Sequence, residues 1–206
     1  MAQIEVEYRG SLTQKQFKGL NIFLKKNGKF LEEKDRFSVI YSPRGKENIK
    51  ISNSKIDLRP RITNKKAELV LKYGSWGGND ARKEFSFPIE IKRFEEVIEF
   101  LFILGFYYGV LQATKSYLYI YKGVEIVLVE VPKFGYYFEA EVVTDQSSIK
   151  NANEKIMSVC KELSLSIFSK KDFTQLLKKL NDRPGFRFNF KKQKFSDIKK
   201  RFKGYF

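Results

Sequence analysis

The chain has 206 residues, 42% of them hydrophobic, with 40 Lys and Arg against 24 Asp and Glu and a net charge of +16. That is enough apolar sequence for one folded domain with a terminal appendage, and the charge calls for an anionic partner: nucleic acid, a phosphorylated small molecule or an anionic surface. With no histidine and a single cysteine, the sequence excludes a Ser-His-Asp triad, a Cys-His dyad, an imidazole metal site, an internal disulfide and a thiolate zinc site.

The first element is Ile4-Glu5-Val6-Glu7-Tyr8-Arg9. Apolar and charged residues alternate at period two, which predicts a strand with Glu5, Glu7 and Arg9 on one face. That face is either a solvated edge or half of a metal site, since two carboxylates about 7 Å apart suit a hard cation. Thr13 to Lys26 reads as a helix with Phe17, Leu20, Phe23 and Leu24 on one side and Gly28 beyond its end. Phe37 to Tyr41 reads as a strand, then Ser42-Pro43-Arg44-Gly45 as a turn. Lys50 to Arg61 reads as a strand pair or bent strand, with Pro60 at an edge, bulge or strand end.

Glu68 to Tyr73 is a clearer strand, followed by the loop Gly74-Ser75-Trp76-Gly77-Gly78-Asn79-Asp80. Trp76 serves either as a loop anchor or as a mobile lid, and the glycines lack the Gly-Lys-Ser/Thr of a phosphate-binding P-loop. Lys83 to Phe87 is a further strand, and Phe94 to Leu104 a helix stopped by Gly105. Thr114–Tyr121, Val124–Val131 and Tyr136–Val143 form an antiparallel meander turning at Lys122-Gly123 and at 132–135. Ser148 to Leu163 is helical, and Cys160 within it is expected in the core. A last helix starts at Ser169 with Asp172 three residues on, a capping-box-like start.

Residues 183–206 differ in kind, with nine Lys or Arg, one acid and seven aromatics in 24 residues. Either Phe186, Phe188 and Phe190 pack an extra strand on the body, or the segment offers nucleic acid a basic, aromatic surface. The expected organisation is a body over 1–182 and an extension over 183–206. No leader pattern and no apolar run near 18 residues is found, so a cytoplasmic protein with no membrane segment is expected, as monomer or homodimer.

The element order predicts an α+β fold with an antiparallel sheet or barrel of about eight strands. Glu5, Glu7 and Arg9 share one face of their strand, Arg59 and Arg61 one face of theirs, and Lys72, Glu84, Glu139 and Glu141 each oppose apolar neighbours. If helices cover the apolar faces, these charges line the interior as a polar tunnel, with carboxylates for a divalent cation and bases for phosphates.

Those motifs resemble the CYTH domain superfamily, the triphosphate tunnel metalloenzymes. Residues 4–9 are similar to its opening Glu-x-Glu-x-Lys strand, with Arg9 in place of Lys. Leu58-Arg59-Pro60-Arg61, Leu69-Val70-Leu71-Lys72 and Arg82-Lys83-Glu84 resemble its Leu-Arg-x-Arg, Lys-ended and Arg-x-Glu segments. Leu104-Gly105-Phe106 looks like the end of the helix before its second half, and 135–141 like its closing Gly-x-Phe-x-Glu-x-Glu. Departures are Ala113 at the first position of a Lys-x-Arg pair near Lys115, Val129 where an acid is frequent, Ser86 where a further Glu often follows, and no His-Phe opening.

The resemblance implies an eight-stranded antiparallel barrel with flanking helices. It implies Mg²⁺ or Mn²⁺ held by Glu5, Glu7, Glu139 and Glu141 with Glu84, and a triphosphate gripped by Arg9, Arg59, Arg61, Lys72, Arg82 and Lys115. Glu5, Glu7 and Arg9 would be catalytic. Triphosphate hydrolysis, cyclisation of ATP to cyclic AMP, and capture of a triphosphate or RNA end without turnover are the activities in view.

Overall fold

In the computed structural model the described residues are 4–47, 55–74 and 83–206. Their contacts divide them into two compact units. The first takes residues 4–34 and 114–177, the second residues 35–47, 55–74, 83–113 and 178–206. The class is α+β, with eight long antiparallel strands and helices at their faces.

The first unit opens with β1 (Ile4–Leu12) and α1 (Gln14–Asn27). The helix starts on a capping box: the Thr13 hydroxyl accepts from the Gln16 amide, and the Gln16 side chain accepts from the Thr13 amide. Along β1, Ile4, Val6 and Leu12 are buried. β1 pairs with β8 (Gly135–Thr144), β8 with β7 (Val124–Val131), and β7 with the second half of β6 (Tyr108–Tyr121). Lys122 and Gly123 join β6 to β7 with φ of 50° and 72°, the left-handed pair that a two-residue hairpin demands.

One face of this sheet is apolar. Val6, Tyr119, Ile126, Leu128, Phe138 and Ala140 are sealed there beneath Phe17 and Leu24 of α1 and beneath Ile156 and Val159 of α3 (Ile149–Glu162). Each large side chain so buried contributes about 1.5–3 kcal/mol. Cys160 lies in the same core, where burial pushes its thiol up to about 11. Gly10 is required on this face, because a Cβ there would collide with the Ser166 carbonyl and the Phe138 ring.

The second unit contains the end of β2 (Lys29–Tyr41), β3 (Ile56–Thr63), β4 (Lys66–Tyr73) and β5 (Lys83–Ile89), paired in that order. The first half of β6 lies beside β2 and on its other side pairs with the short β9 (Arg187–Asn189). Pro60 is inside β3. The ladder to β2 runs from Arg36↔Thr63 to Ser38↔Arg61 and stops there, so the proline's missing N–H falls where no donor is used. The core is built from Phe37, Val39 and Ile62, with Phe94, Ile98 and Leu101 of α2 (Phe94–Ile103) and Phe195 and Ile198 of α5 (Phe195–Arg201).

The tail does pack an extra strand, β9, and its rings join a core. Phe188 and Phe195 are buried, and Phe186, Phe190, Phe202, Tyr205 and Phe206 pack against the same cluster. Residues 183–206 all belong to the second unit, which takes up the chain again at Lys178. The last predicted helix, α4 (Lys170–Asn181), does begin on the Ser169–Asp172 box.

The starts of β2 and β6 and the whole of α5 escaped the sequence. β2 starts at Lys29, although Lys29 to Asp35 has no period-two apolar pattern. β6 starts at Tyr108, where Gly109 argues against a strand but is demanded by the Ile40 carbonyl and the Phe188 ring. α5 spans only seven residues, and its one signal is Asp197 in the first turn with Lys199, Lys200 and Arg201 in the last.

Candidate functional site

The helices cover the apolar face of the first unit's sheet, so its opposite face is the polar one. Register places Glu5, Glu7 and Arg9 of β1 there, with Glu139 and Glu141 of β8 and Glu125 of β7. Arg9 stands opposite Glu139, and Glu7 opposite Glu141, which in turn stands opposite Glu125.

Arg9 binds two of these carboxylates at once. Its Nη2 lies 2.5 Å from Glu7 and its Nε donates to Glu139 at 2.7 Å. The Phe173 ring covers it, 5.2 Å from guanidinium carbon to centroid. The strand beneath is pinned by the Phe168 amide, which donates to the Arg9 carbonyl at 2.8 Å. Burial alone would discourage the charge on Arg9, but Glu139 and Glu7 outweigh it and hold the guanidinium protonated. Glu125 behaves oppositely: burial raises its pKa, and against the pull of Lys34 the charges of Glu139, Glu32 and Glu5 raise it further.

The second unit has a polar face of the other sign. Asp57, Arg59 and Arg61 of β3 share it with Glu68 and Lys72 of β4, Glu84 and Ser86 of β5, and Arg36 of β2. Each base is held by an acid or a hydroxyl. Arg59 forms a two-pronged pair with the buried Asp57, its Nε donating at 2.9 Å. The Arg61 Nε donates to Glu68 at 2.6 Å and its Nη2 reaches Glu84 at 3.4 Å. Lys72 pairs with Glu84 at 2.6 Å, and Arg36 donates to the Thr63 hydroxyl at 2.9 Å.

Burial opposes the charge on Glu68, yet hydrogen bonds from Arg61 and Ser86 hold its carboxyl below the usual range. Glu84 is held low in the same way, with Lys72 first among the groups that overcome burial.

Among the predicted residues, Glu5, Glu7, Arg9, Glu139 and Glu141 are gathered on one face, and Arg59, Arg61, Lys72 and Glu84 on another. Lys115 is not with either group. It pairs in register with Glu130 on the apolar side of β7, a face it shares with Tyr117, Tyr119 and Tyr121, and its ammonium lies 3.7 Å from Glu33. The period-two rule gives the reason: Ser116 and Leu118, not Lys115, share the side of Val129 and Val127. Glu84, expected among the metal-binding carboxylates, is the counter-ion of Lys72 and Arg61. Arg82, Trp76 and the rest of 75–82 lie outside the described residues.

Sequence reasoning missed Glu125, Asp57 and Glu68. Asp57 was legible, since it is two residues before Arg59 on the same face. Glu125 was harder to see, because the other residues on its face, Val127 and Val129, are apolar and pack with Leu118 and Tyr137.

Among the described residues no three acidic, histidine or cysteine side chains converge as they would around an ion. The donors on this face are of the oxygen type that a hard divalent cation takes. Five carboxylates share one face, all oxygen donors. Arg9 itself occupies the place between Glu7 and Glu139.

No protein-family model matches the chain, and no curated protein matches it. Solved structures do. A conserved hypothetical protein from Pyrococcus furiosus is 25% identical over 84% of this chain and 99% of its own, with a TM-score of 0.65. An adenylate cyclase candidate from Vibrio parahaemolyticus is 15% identical over 86% and 99%, with a TM-score of 0.61. HpAC1 from Hippeastrum, an adenylyl cyclase candidate described as having a dominant triphosphatase activity, is 18% identical over 84% and 95%, with a TM-score of 0.53. The chain has the fold of these solved structures. Among the described residues no helix is long and apolar enough to cross a membrane.

Proposed function

We propose that this protein is a divalent-metal-dependent hydrolase of a triphosphate. The observation that carries the reading is the polar face of the first unit, where Glu5, Glu7, Glu139, Glu141 and Glu125 share one side of the sheet with Arg9. Glu5, Glu7, Glu139 and Glu141 would hold Mg²⁺ or Mn²⁺, which when bound neutralises phosphate charge and polarises water. Arg9, released from its carboxylates, binds phosphate oxygens through a fork that stays charged at any working pH. On the second unit's own face, Asp57 and Glu68 fix the Arg59 and Arg61 forks, which suit phosphate oxygens there. Lys72 adds a point charge, and Arg82 keeps the role its motif suggests. Water attacks the terminal phosphorus and the bond to the bridging oxygen breaks, a reaction that asks the protein mainly for positioning and electrostatics.

Glu5→Ala and Glu7→Ala are expected to abolish metal-dependent phosphate release from a panel of inorganic, nucleoside and other organic triphosphates, with far-UV circular dichroism unchanged. Full activity in either variant would sink the assignment. A second reading, cyclisation of ATP, draws on the cyclase candidates that share the fold. Resolving cyclic AMP from free phosphate by chromatography after incubation with ATP and Mn²⁺ separates the two. Tight triphosphate binding in calorimetry without any product would leave a binding protein.

A further inference from the structure

We infer that the surface formed by residues 181–194 of the second unit binds single-stranded nucleic acid, with phosphates on Lys191, Lys192 and Lys194 and one base in a cavity beside β9. None of the polar-face residues takes part, so this surface stands or falls apart from the hydrolase reading.

Residues 183–206 carry nine Lys or Arg against one acid and supply half of the chain's net charge of +16. Phe188 and Phe195 are buried, whereas Lys191, Lys192 and Lys194 are exposed. Folding thus turns the aromatic part of the segment inward and the basic part outward. Among the described residues, no exposed large hydrophobic side chain lies in 183–206. A surface so basic and so poor in apolar groups suits phosphates, not the apolar boundary of a lipid layer.

The extension also builds the cavity. β9 pairs in register with β6, Asn189 with Tyr108 and Arg187 with Val110. The Lys192 and Gln193 amides then donate to the Asn189 carbonyl at 2.9 and 3.0 Å, which turns the chain back beside the strand. The result is a cavity of about 340 Å³, lined in part by Val110 and Phe188. That is near the lower end of the roughly 300–1,000 Å³ usual for ligand pockets. Its polar groups come from Glu47, Asn181, Arg187, Asn189, Lys192 and Gln193. Arg187 is held in place, its Nε donating to the Asn181 carbonyl at 3.1 Å and its Nη2 pairing with Asp182. The Asn189 side-chain oxygen accepts from the Lys191 amide at 3.0 Å, so its amide nitrogen is left to donate.

This lining selects the occupant. A bare anion gains from Arg187 and Lys192 but is repelled by the Glu47 carboxylate. A base edge presents donors and acceptors side by side. Three amides, a guanidinium and a carboxylate match such an edge, because Asn and Gln both give and accept, Arg gives and Glu accepts. Lys192 serves both parts, since it lines the cavity and belongs to the exposed lysines that meet the adjoining phosphates. A duplex keeps its bases stacked and paired, so only a strand with a free base fills the cavity.

The test is fluorescence anisotropy of short labelled RNA and DNA strands with the full chain, in EDTA so that no divalent ion contributes. Binding should weaken steeply with salt. Lys191→Gln, Lys192→Gln and Lys194→Gln together should lower the slope of log K against log salt by about 2, three phosphate contacts at about 0.7 each. Asn181→Ala with Gln193→Ala should weaken strand binding by about 5–150-fold, the worth of one base-edge pair, while inorganic polyphosphate is held as by the parent. Lys15→Gln, Lys18→Gln and Lys25→Gln together, which remove the same charge from α1, should leave the slope unchanged. Unaltered strand binding in either variant of 181–194, or an equal loss in the α1 variant, overturns the inference. So does a duplex bound as tightly as the strand, or binding to phosphatidylserine vesicles with none to oligonucleotide.

Discussion

Arg9 occupies the motif position where lysine is usual, and its geometry shows what the exchange does. A lysine ammonium is a compact charge, whereas the guanidinium fork reaches Glu7 and Glu139 together and still presents a flat face to Phe173. The residue is therefore a structural cross-link of β1 and β8 as well as a phosphate ligand in the proposed reaction. Tyr41 is the contrasting case, a side chain whose polar atom is idle. It is 4% exposed, its ring packs against Phe106 and Phe188, and its hydroxyl has no hydrogen-bond partner among the described residues. An unmet buried donor costs about 1–3 kcal/mol, so Tyr41→Phe is expected to raise the denaturant midpoint. A lower midpoint would mean that the hydroxyl is satisfied after all.

At the scale of elements, α5 and β9 make the C-terminal extension part of a core. Phe195→Ala should destabilise the protein by about 3–5 kcal/mol in chemical denaturation, the usual effect of emptying a buried aromatic site. A change under about 1 kcal/mol would return residues 183–206 to the status of an appendage. The same elements show what the sequence could and could not say. β1, β8, α1 and α2 were legible because each has one strongly apolar face at its own period, and β7 because it is a short apolar run on both faces. α5 was not, because seven residues carry barely two turns of pattern, and the start of β2 was not, because its residues are mostly charged. The candidate site followed the same rule. Glu5, Glu7, Glu139 and Glu141 stand out against apolar alternation, while Glu125 has valines for face neighbours. Lys115 was assigned by its place in the chain, and register turns it to the other side.

At the scale of the whole molecule, charge of opposite sign is sorted between the two units. The first unit's polar face gathers carboxylates, the second's gathers Arg36, Arg59, Arg61 and Lys72 around three acids. Two of those acids, Glu68 and Glu84, link stability to pH. Glu68 and Glu84 titrate below their ordinary value of 4.5 in the folded chain, so the folded state holds their protons less tightly than the unfolded one. Their stabilisation is present above that value and lost as pH falls through the lower folded pKa. Unfolding midpoints measured from pH 6 to pH 3 should decline, and the Glu68→Gln, Glu84→Gln double variant should decline less steeply. Parallel curves would show that these pairs carry no net linkage.

The pairing of β1 with β8 has a consequence for synthesis. Leu12 is bonded in register with Tyr136, and Ile4 with Thr144. At about 5–20 residues per second, roughly 7–26 s separate the emergence of the first strand from that of the last residue it needs. Through that interval β1 is an unpaired strand on a nascent chain, the kind of segment that seeds aggregates. Glu5, Glu7 and Arg9 then act as gatekeepers: they keep the waiting strand soluble before they have any ligand to meet.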